Sequence, residues 1–319
     1  MIRVSAAVNV RRLRSPADPV VYRIGISIVG ILLTLGAVAA EVPRQPPKSG
    51  IEYAGKDVRA LQADDFGNPG MLWVARGEKL WGAPAGRSGK SCASCHQDAP
   101  TAMKGAATRY PRLDANGKSL LNLEARINQC RERRQGADTL RYESEELLAL
   151  TAYVAHQSRG MPVNVEINET NRAHFERGRE SYYRRQGQMN LACTHCHEQN
   201  AGRKLLADTV SEGHGNTYPV YRLEWQSVGS LHRRLRACYF GVRAEQPAAG
   251  SAELVDLELY LASRARGLLV ETPGVRRSKL INNNKYLIKS GAVPAVDQRS
   301  EALIFSSAGV PGQRSLAPS

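Results

Sequence analysis

Cys92-Ala93-Ser94-Cys95-His96 and Cys193-Thr194-His195-Cys196-His197 are the stretches that decide the fold of this 319-residue chain. Both read C-x-x-C-H, the attachment signature of c-type haem. Two thiols at this spacing reach the two vinyl groups of one porphyrin, and the adjacent histidine is set under the iron as proximal ligand. The chain is therefore expected to carry two covalently bound haem c groups. Cys92 and Cys95 would hold one and Cys193 and Cys196 the other, with His96 and His197 as axial ligands. A pair of zinc knuckles would need further closely spaced Cys or His ligands. A redox C-x-x-C would need a βαβ context. Neither pattern is visible.

The two motifs lie inside a longer repeat. Gly77 and Gly178 are 101 residues apart, as are Cys92 and Cys193. Downstream, Arg126-Ile127-Asn128-Gln129-Cys130 parallels Arg234-Leu235-Arg236-Ala237-Cys238, both of the form R-x-x-x-C. Further on, Glu146-Leu147-x-x-Leu150-x-x-Tyr153 parallels Glu253-Leu254-x-x-Leu257-x-x-Tyr260. Each half thus shows a helix, a haem motif, a helix ending near a cysteine and a closing helix. The expected fold is mainly α: two tandem cytochrome c-type domains related by internal duplication.

Local signals place the helices. Asn68 before Pro69 predicts a helix running toward Trp81. Thr170 is a cap for a helix to about Arg185. Leu120, Leu123, Ile127 and Cys130 share one face of a helix predicted from Ser119 to Arg134. Ser144 and Ser251 cap the closing helices. Residues 41–162 and 163–277 are the expected domains, with Met161 to Glu169 as linker.

The ends read differently. Arg3, Arg11, Arg12, Arg14 and Arg23 precede an apolar run from Ile24 to Leu35, and Ala37 and Ala39 fit an A-x-A cleavage site. Residues 1–40 are expected to be a signal peptide for general secretion, with an uncleaved anchor as the alternative, and the mature chain to work in the periplasm. Residues 278–319 form a tail without recognisable chemistry. Net charge is +14, of which five Arg and one Asp fall in the first 40 residues, leaving a basic mature chain that favours anionic partners. Nucleic acid is not expected among them, because no recognition motif is present and export removes the chain from it.

Cys130 and Cys238 are left over. One reading joins them as a disulfide, which export permits. The other makes each the second axial ligand of its own haem. For the first haem Met161 is a rival to Cys130. No methionine follows the second motif until the end of the chain, so Cys238 competes there only with His214 and His232. A thiolate ligand donates electron density to iron. Residues i and i+4 share a helix face, so Arg234 would stand beside the Cys238 sulfur. Its guanidinium would lower the thiol pKa and offer a fork for an oxyanion. Arg222, Arg233, Arg236 and Arg243 add positive charge, or simply form a solvated basic face. Arg126 beside Cys130 is read as structural.

With these residues the chain resembles the dihaem SoxA subunit of the SoxAX cytochrome of bacterial sulfur oxidation. The resemblance covers roughly residues 50–277. It rests on the two haem motifs, the cysteine after each and Arg234–Cys238. It rests also on Gln62-Ala63-Asp64-Asp65-x-x-Asn68-Pro69-Gly70-Met71-Leu72-Trp73-Val74 and on Glu271-Thr272-Pro273-Gly274-Val275-Arg276-Arg277. The tail beyond Arg277 departs from the family pattern. The resemblance implies an L-cysteine S-thiosulfotransferase that couples thiosulfate oxidatively to a cysteine of the SoxYZ carrier. Electrons would pass by haem to a cytochrome c acceptor. It implies Cys238 as active-site cysteine and ligand of the second haem, found as a persulfide in the family, and Arg234 as the catalytic arginine. It implies His96 and Cys130 as ligands of a first haem off the electron path, and a SoxX-type monohaem cytochrome as partner in a heterodimer. The alternative is a dihaem electron-transfer cytochrome without chemistry of its own. A dihaem peroxidase would need one open distal site, against a cysteine for each iron.

Overall fold

The computed structural model describes residues 46–205 and 208–277, and those from Pro47 onward belong to one compact unit. The predicted signal peptide and the tail fall outside the described residues. Among the described residues, seven helices of eight or more residues carry the fold. They are α1 Lys56–Ala63, α2 Met71–Gly82, α3 Leu123–Cys130, α4 Glu145–His156, α5 Arg172–Tyr183, α6 Leu231–Gly241 and α7 Ala252–Arg264. None is long and apolar enough to cross a membrane.

Two helix crossings organise the molecule, and each turns on one of the repeated glycines. At Gly77, where α2 meets α4, a Cβ would lie 2.1 Å from the Ala149 carbonyl oxygen and 2.5 Å from Tyr153 Cβ. At Gly178, where α5 meets α7, a Cβ would lie 2.0 Å from the Asp256 carbonyl oxygen. Glycine within a helix costs ~0.5–1 kcal/mol relative to alanine. Here it admits backbone against backbone. The closing helices are apolar on most faces and correspondingly buried: every residue of α4 from Leu147 to Ala155 is inside. Asp256 is the charged exception within α7. It is buried, and α5 satisfies it with His174 Nδ1 and Arg177 Nε, each at 2.6 Å. A carboxylate so placed needs both partners.

The caps of α4 and α7 are the predicted serines: Ser144 Oγ accepts from the Leu147 N–H and Ser251 Oγ from the Leu254 N–H. Three other predicted starts move. Asn68 caps no helix. Its Oδ1 accepts from the Gly70 N–H and its Nδ2 donates to the Pro273 carbonyl, so α2 begins at Met71. α5 begins after Asn171 rather than Thr170. The helix predicted from Ser119 is shorter still. Leu120–Leu121 is strand β2, antiparallel to β1 (Arg112–Leu113), and α3 starts only after Asn122, whose side chain accepts from the Ala125 N–H. Leu120 belongs to a hairpin, and its match to helical spacing was fortuitous. After Cys130 the helix widens into one π-type turn, Arg131–Gln135, and stops at Gly136 with φ +61°.

The remaining strands are short. β3 (Lys204–Leu205) pairs with β4 (Asp208–Thr209). β5 (Val220–Arg222) lies between antiparallel β6 (Ser227–Gly229) and parallel β7 (Gly274–Arg276). β7 also ties the two sequence ends of the fold together. Gln62 Oε1 on α1 accepts from the Val275 N–H at 2.9 Å, and Asn68 holds Pro273. The two motifs that flank the resemblance are therefore structural partners. The segment read as a linker is packed: Val165 is buried beside Leu259 and Val270, and the Val163 N–H donates to the Leu268 carbonyl.

Candidate functional site

Each C-x-x-C-H motif forms one short helical turn, Ala93–His96 in the first half and Cys193–His197 in the second. In the first, Trp81 of α2 lies against His96 with ring centroids 5.7 Å apart. Burial pushes the Cys92 thiol up, and the same thiol lies within the electrostatic reach of Arg131 and Cys130. Gln135, from the turn after α3, brings its Nε2 to 3.9 Å from Cys92 Sγ. The end of α3 is thus carried back over the first motif.

In the second half the histidine is fixed more closely. His197 Nδ1 lies 2.7 Å from the Ser211 carbonyl oxygen. Gly213, at φ +75°, presses on the other side of the ring: a Cβ there would fall 2.7 Å from it. A histidine tied through Nδ1 to a backbone carbonyl presents Nε2 as a ligand in a set orientation.

Nε2 meets Cys238. This thiol sits on α6 after Arg234 and next to His197, Cys193 and Cys196. Burial pushes its pKa up. Arg234, the neighbouring His197 and the charge of Arg222 outweigh that and bring it down to about 7. At the neighbouring Cys193 thiol, burial and Cys238 outweigh the weaker pull of Arg264 and push it up to about 11. Thiolate is the reactive and ligating form of sulfur, so α6 presents one activated cysteine among inert ones. Arg234 in turn is held above its ordinary range by the Cys238 charge.

The other predicted basic residues divide. Arg222 is buried on β5, bonded to Glu224 at 2.7 Å, and contributes to the potential at Cys238. Arg233 lies over the Trp225 ring at 4.2 Å. Arg126, the counterpart of Arg234, is exposed and donates to Gln129.

The residues present fit haem at both motifs. Beside Cys92, Gln135 Oε1 is buried without a partner. Beside Cys193, the Tyr182 hydroxyl is likewise buried and unpaired. Buried polar atoms without partners mark a group they would otherwise meet. His197 and Cys238 together supply the nitrogen and thiolate donors that haem iron takes.

The structure also sorts the rival ligands. All six cysteines are unbonded, with no Cys130–Cys238 disulfide. The Met161 methyl group lies against Gly105. His232 is committed elsewhere, between Glu258 and the Gly250 N–H. His214 Nε2 is 3.1 Å from Glu212.

One pair of residues escaped the sequence reading. Tyr110 and Tyr218 each precede a cis proline. Burial raises both phenols. Tyr110 feels Arg126 and Cys130, and Tyr218 feels Arg234 and Cys238. Each R-x-x-x-C helix therefore has a tyrosine beside it. The signal was available: Tyr110-Pro111 and Tyr218-Pro219 are separated by the same 108 residues as Cys130 and Cys238.

Comparison with known proteins agrees with this geometry. The family model for the SoxA/TsdA cytochrome c domain matches twice, at residues 76–163 and 177–270. The L-cysteine S-thiosulfotransferase subunit SoxA of Pseudaminobacter salicylatoxidans is 42% identical over 262 residues, 82% of this chain and 91% of the relative. The subunit of the same name from Rhodovulum sulfidophilum is 39% identical over 82% of this chain and 90% of the relative. The crystal structure of SoxXA from P. pantotrophus matches with a TM-score of 0.70 at 39% identity, covering 72% of this chain and 87% of that one. The chain belongs to the SoxA/TsdA cytochrome c family and binds haem c.

Proposed function

We propose that this SoxA/TsdA-family chain is the catalytic subunit of an L-cysteine S-thiosulfotransferase, with the reaction centred on Cys238. In that reaction a carrier cysteine thiol loses its proton and forms an S–S bond to the terminal sulfur of thiosulfate. Two electrons leave to a cytochrome c acceptor. The relatives carry the activity in their names. The observation that carries the reading here is the placement of Arg234 and His197 beside the Cys238 sulfur.

The proposal assigns two haem c groups, held by Cys92 and Cys95 and by Cys193 and Cys196. His96 and Cys130 would hold the iron of the first, and His197 and Cys238 that of the second. When bound, haem would supply a one-electron acceptor. Arg234 offers two parallel N–H donors to the dianionic substrate and keeps the Cys238 sulfur as thiolate. Arg222 adds charge from β5 without leaving its bond to Glu224. Ser211 and Gly213 orient the His197 ring. The domains are assigned as 41–162 and 163–277, the second bearing the reaction. The solved relative is a SoxXA assembly, so a SoxX-type monohaem subunit is the proposed partner, with a SoxYZ-type carrier as acceptor of thiosulfate. The basic, exported chain suits the periplasm.

The test is Cys238→Ala in the mature holoprotein. Thiosulfate-dependent turnover is expected to fall at least about a thousandfold. The mass spectrum should still show both haems attached. Turnover at the parent rate would overturn the assignment.

A further inference from the structure

Glu124 and His232 are the second residues of α3 and α6, the two helices that end near Cys130 and Cys238. They are separated by the same 108 residues as the cysteines. Both are buried, His232 to 1% exposure. They meet where the halves pack together, and α7 adds Glu258 at the position that Thr151 occupies in α4. His232 Nε2 is 3.0 Å from Glu258 Oε2, which also accepts from Asn122 Nδ2 at 3.1 Å. The Gly250 N–H donates to His232 Nδ1 at 3.0 Å. That bond requires a lone pair on Nδ1, so the neutral ring keeps its proton on Nε2, which is close to Glu258 without being aligned for a hydrogen bond to it. Tyr142 stacks on the imidazole at 5.8 Å with a 6° tilt and donates to Asn122. Glu143 lies beyond, holding the Ser230 hydroxyl.

A cavity of about 80 Å³ adjoins this cluster. Glu124, Glu258, Thr151, Asn216, Tyr110 and Tyr218 are among its walls. Thr151 Oγ1 and Asn216 Oδ1 are buried there without a hydrogen-bond partner. A water needs ~10–15 Å³ of such space and two to four polar partners, so the chamber has room for several. With a neutral imidazole and both carboxylates ionised, the junction would carry two negative charges close together, Glu124 buried and Glu258 part-buried with Asn122 as its donor. A buried charge without a partner is costly, and one added proton relieves it.

We propose that Glu124 and Glu258, beside His232, form a proton-binding site at the junction of the halves, holding one shared proton that exchanges through water in the adjoining cavity. Glu124 is its principal carrier. Burial, the Glu258 carboxylate and Glu143 push Glu124 up to about 7, against the pull of His232. The native protein keeps a proton that the unfolded chain releases near pH 4.5. The stability from this site is complete below about pH 4.5 and is lost as pH rises through about 7.

Urea unfolding of the mature holoprotein and of Glu124→Gln, from pH 4.5 to 8, tests this. Gln keeps the shape and cannot titrate. The ratio of the variant's folding constant to the parent's is expected to rise by up to about tenfold per pH unit between pH 5 and 7. The rise should total about 300-fold and then level off. A ratio independent of pH overturns the proposal. Infrared spectroscopy of the native parent needs no variant. It should show a protonated-carboxyl C=O band at pH 6 that disappears by pH 8. If no such band titrates, or if it persists in Glu124→Gln, the proton is not held there.

Discussion

The two halves share their helices, their glycine crossings and their R-x-x-x-C helices, yet they treat the arginine of that motif in opposite ways. In the first half Arg126 lies exposed on α3 and donates to Gln129. In the second, Arg234 is drawn in beside Cys238 and its charge is coupled to that sulfur. The i, i+4 spacing is identical, so the helix alone does not decide the outcome. Two features of the second half do. The β5–β6 hairpin supplies buried Arg222, and the Ser211–Gly213 turn holds His197. In the first half the helix instead ends in a wide turn that carries Gln135 to Cys92. The two halves share a packing plan, and positive charge is concentrated around one sulfur.

This contrast can be broken by paired substitutions. The largest expected difference is between Arg234→Ala and Arg126→Ala. The first should lower kcat/KM for thiosulfate about a hundredfold, as for loss of one charge-stabilising donor. The second should stay within about twofold, as for an exposed side chain. Steady-state kinetics with thiosulfate as the varied substrate measures both, and equal effects would erase the proposed asymmetry. The glycine crossings should instead behave alike. Gly77→Ala and Gly178→Ala each force a methyl group into a backbone carbonyl and should destabilise by about 3 kcal/mol, read by denaturant unfolding. A cost at one crossing alone would show that the halves differ in packing as well as in chemistry. The smallest effect belongs to the caps. Ser144→Ala and Ser251→Ala should each cost about 1 kcal/mol and leave thiosulfate turnover intact.

Much of the site was legible because covalent chemistry imposes a spacing. C-x-x-C-H names its group in five residues, and a repeated cysteine at a constant offset names its counterpart. The serine caps before α4 and α7 were equally local, each needing only a side-chain oxygen three residues ahead of an N–H. What was lost was whatever depended on contact across the chain. Leu120 fitted a helix and went to a strand because Leu121 found Arg112 opposite it. Asn68 looked like a cap and was taken by Pro273, more than two hundred residues away. Tyr110 and Tyr218 read as ordinary aromatics until their burial beside the two cysteine helices was visible.

The sequence by itself determined the mainly helical plan and the family, because both rest on residue identity at fixed short separations. The tertiary structure decided which arginine faces a sulfur, which histidine is free to meet it and which carboxylates share a buried junction. Those outcomes depend on burial and on charges brought together from distant parts of the chain. Their energies are set by the local dielectric and by neighbours that no short stretch of sequence contains.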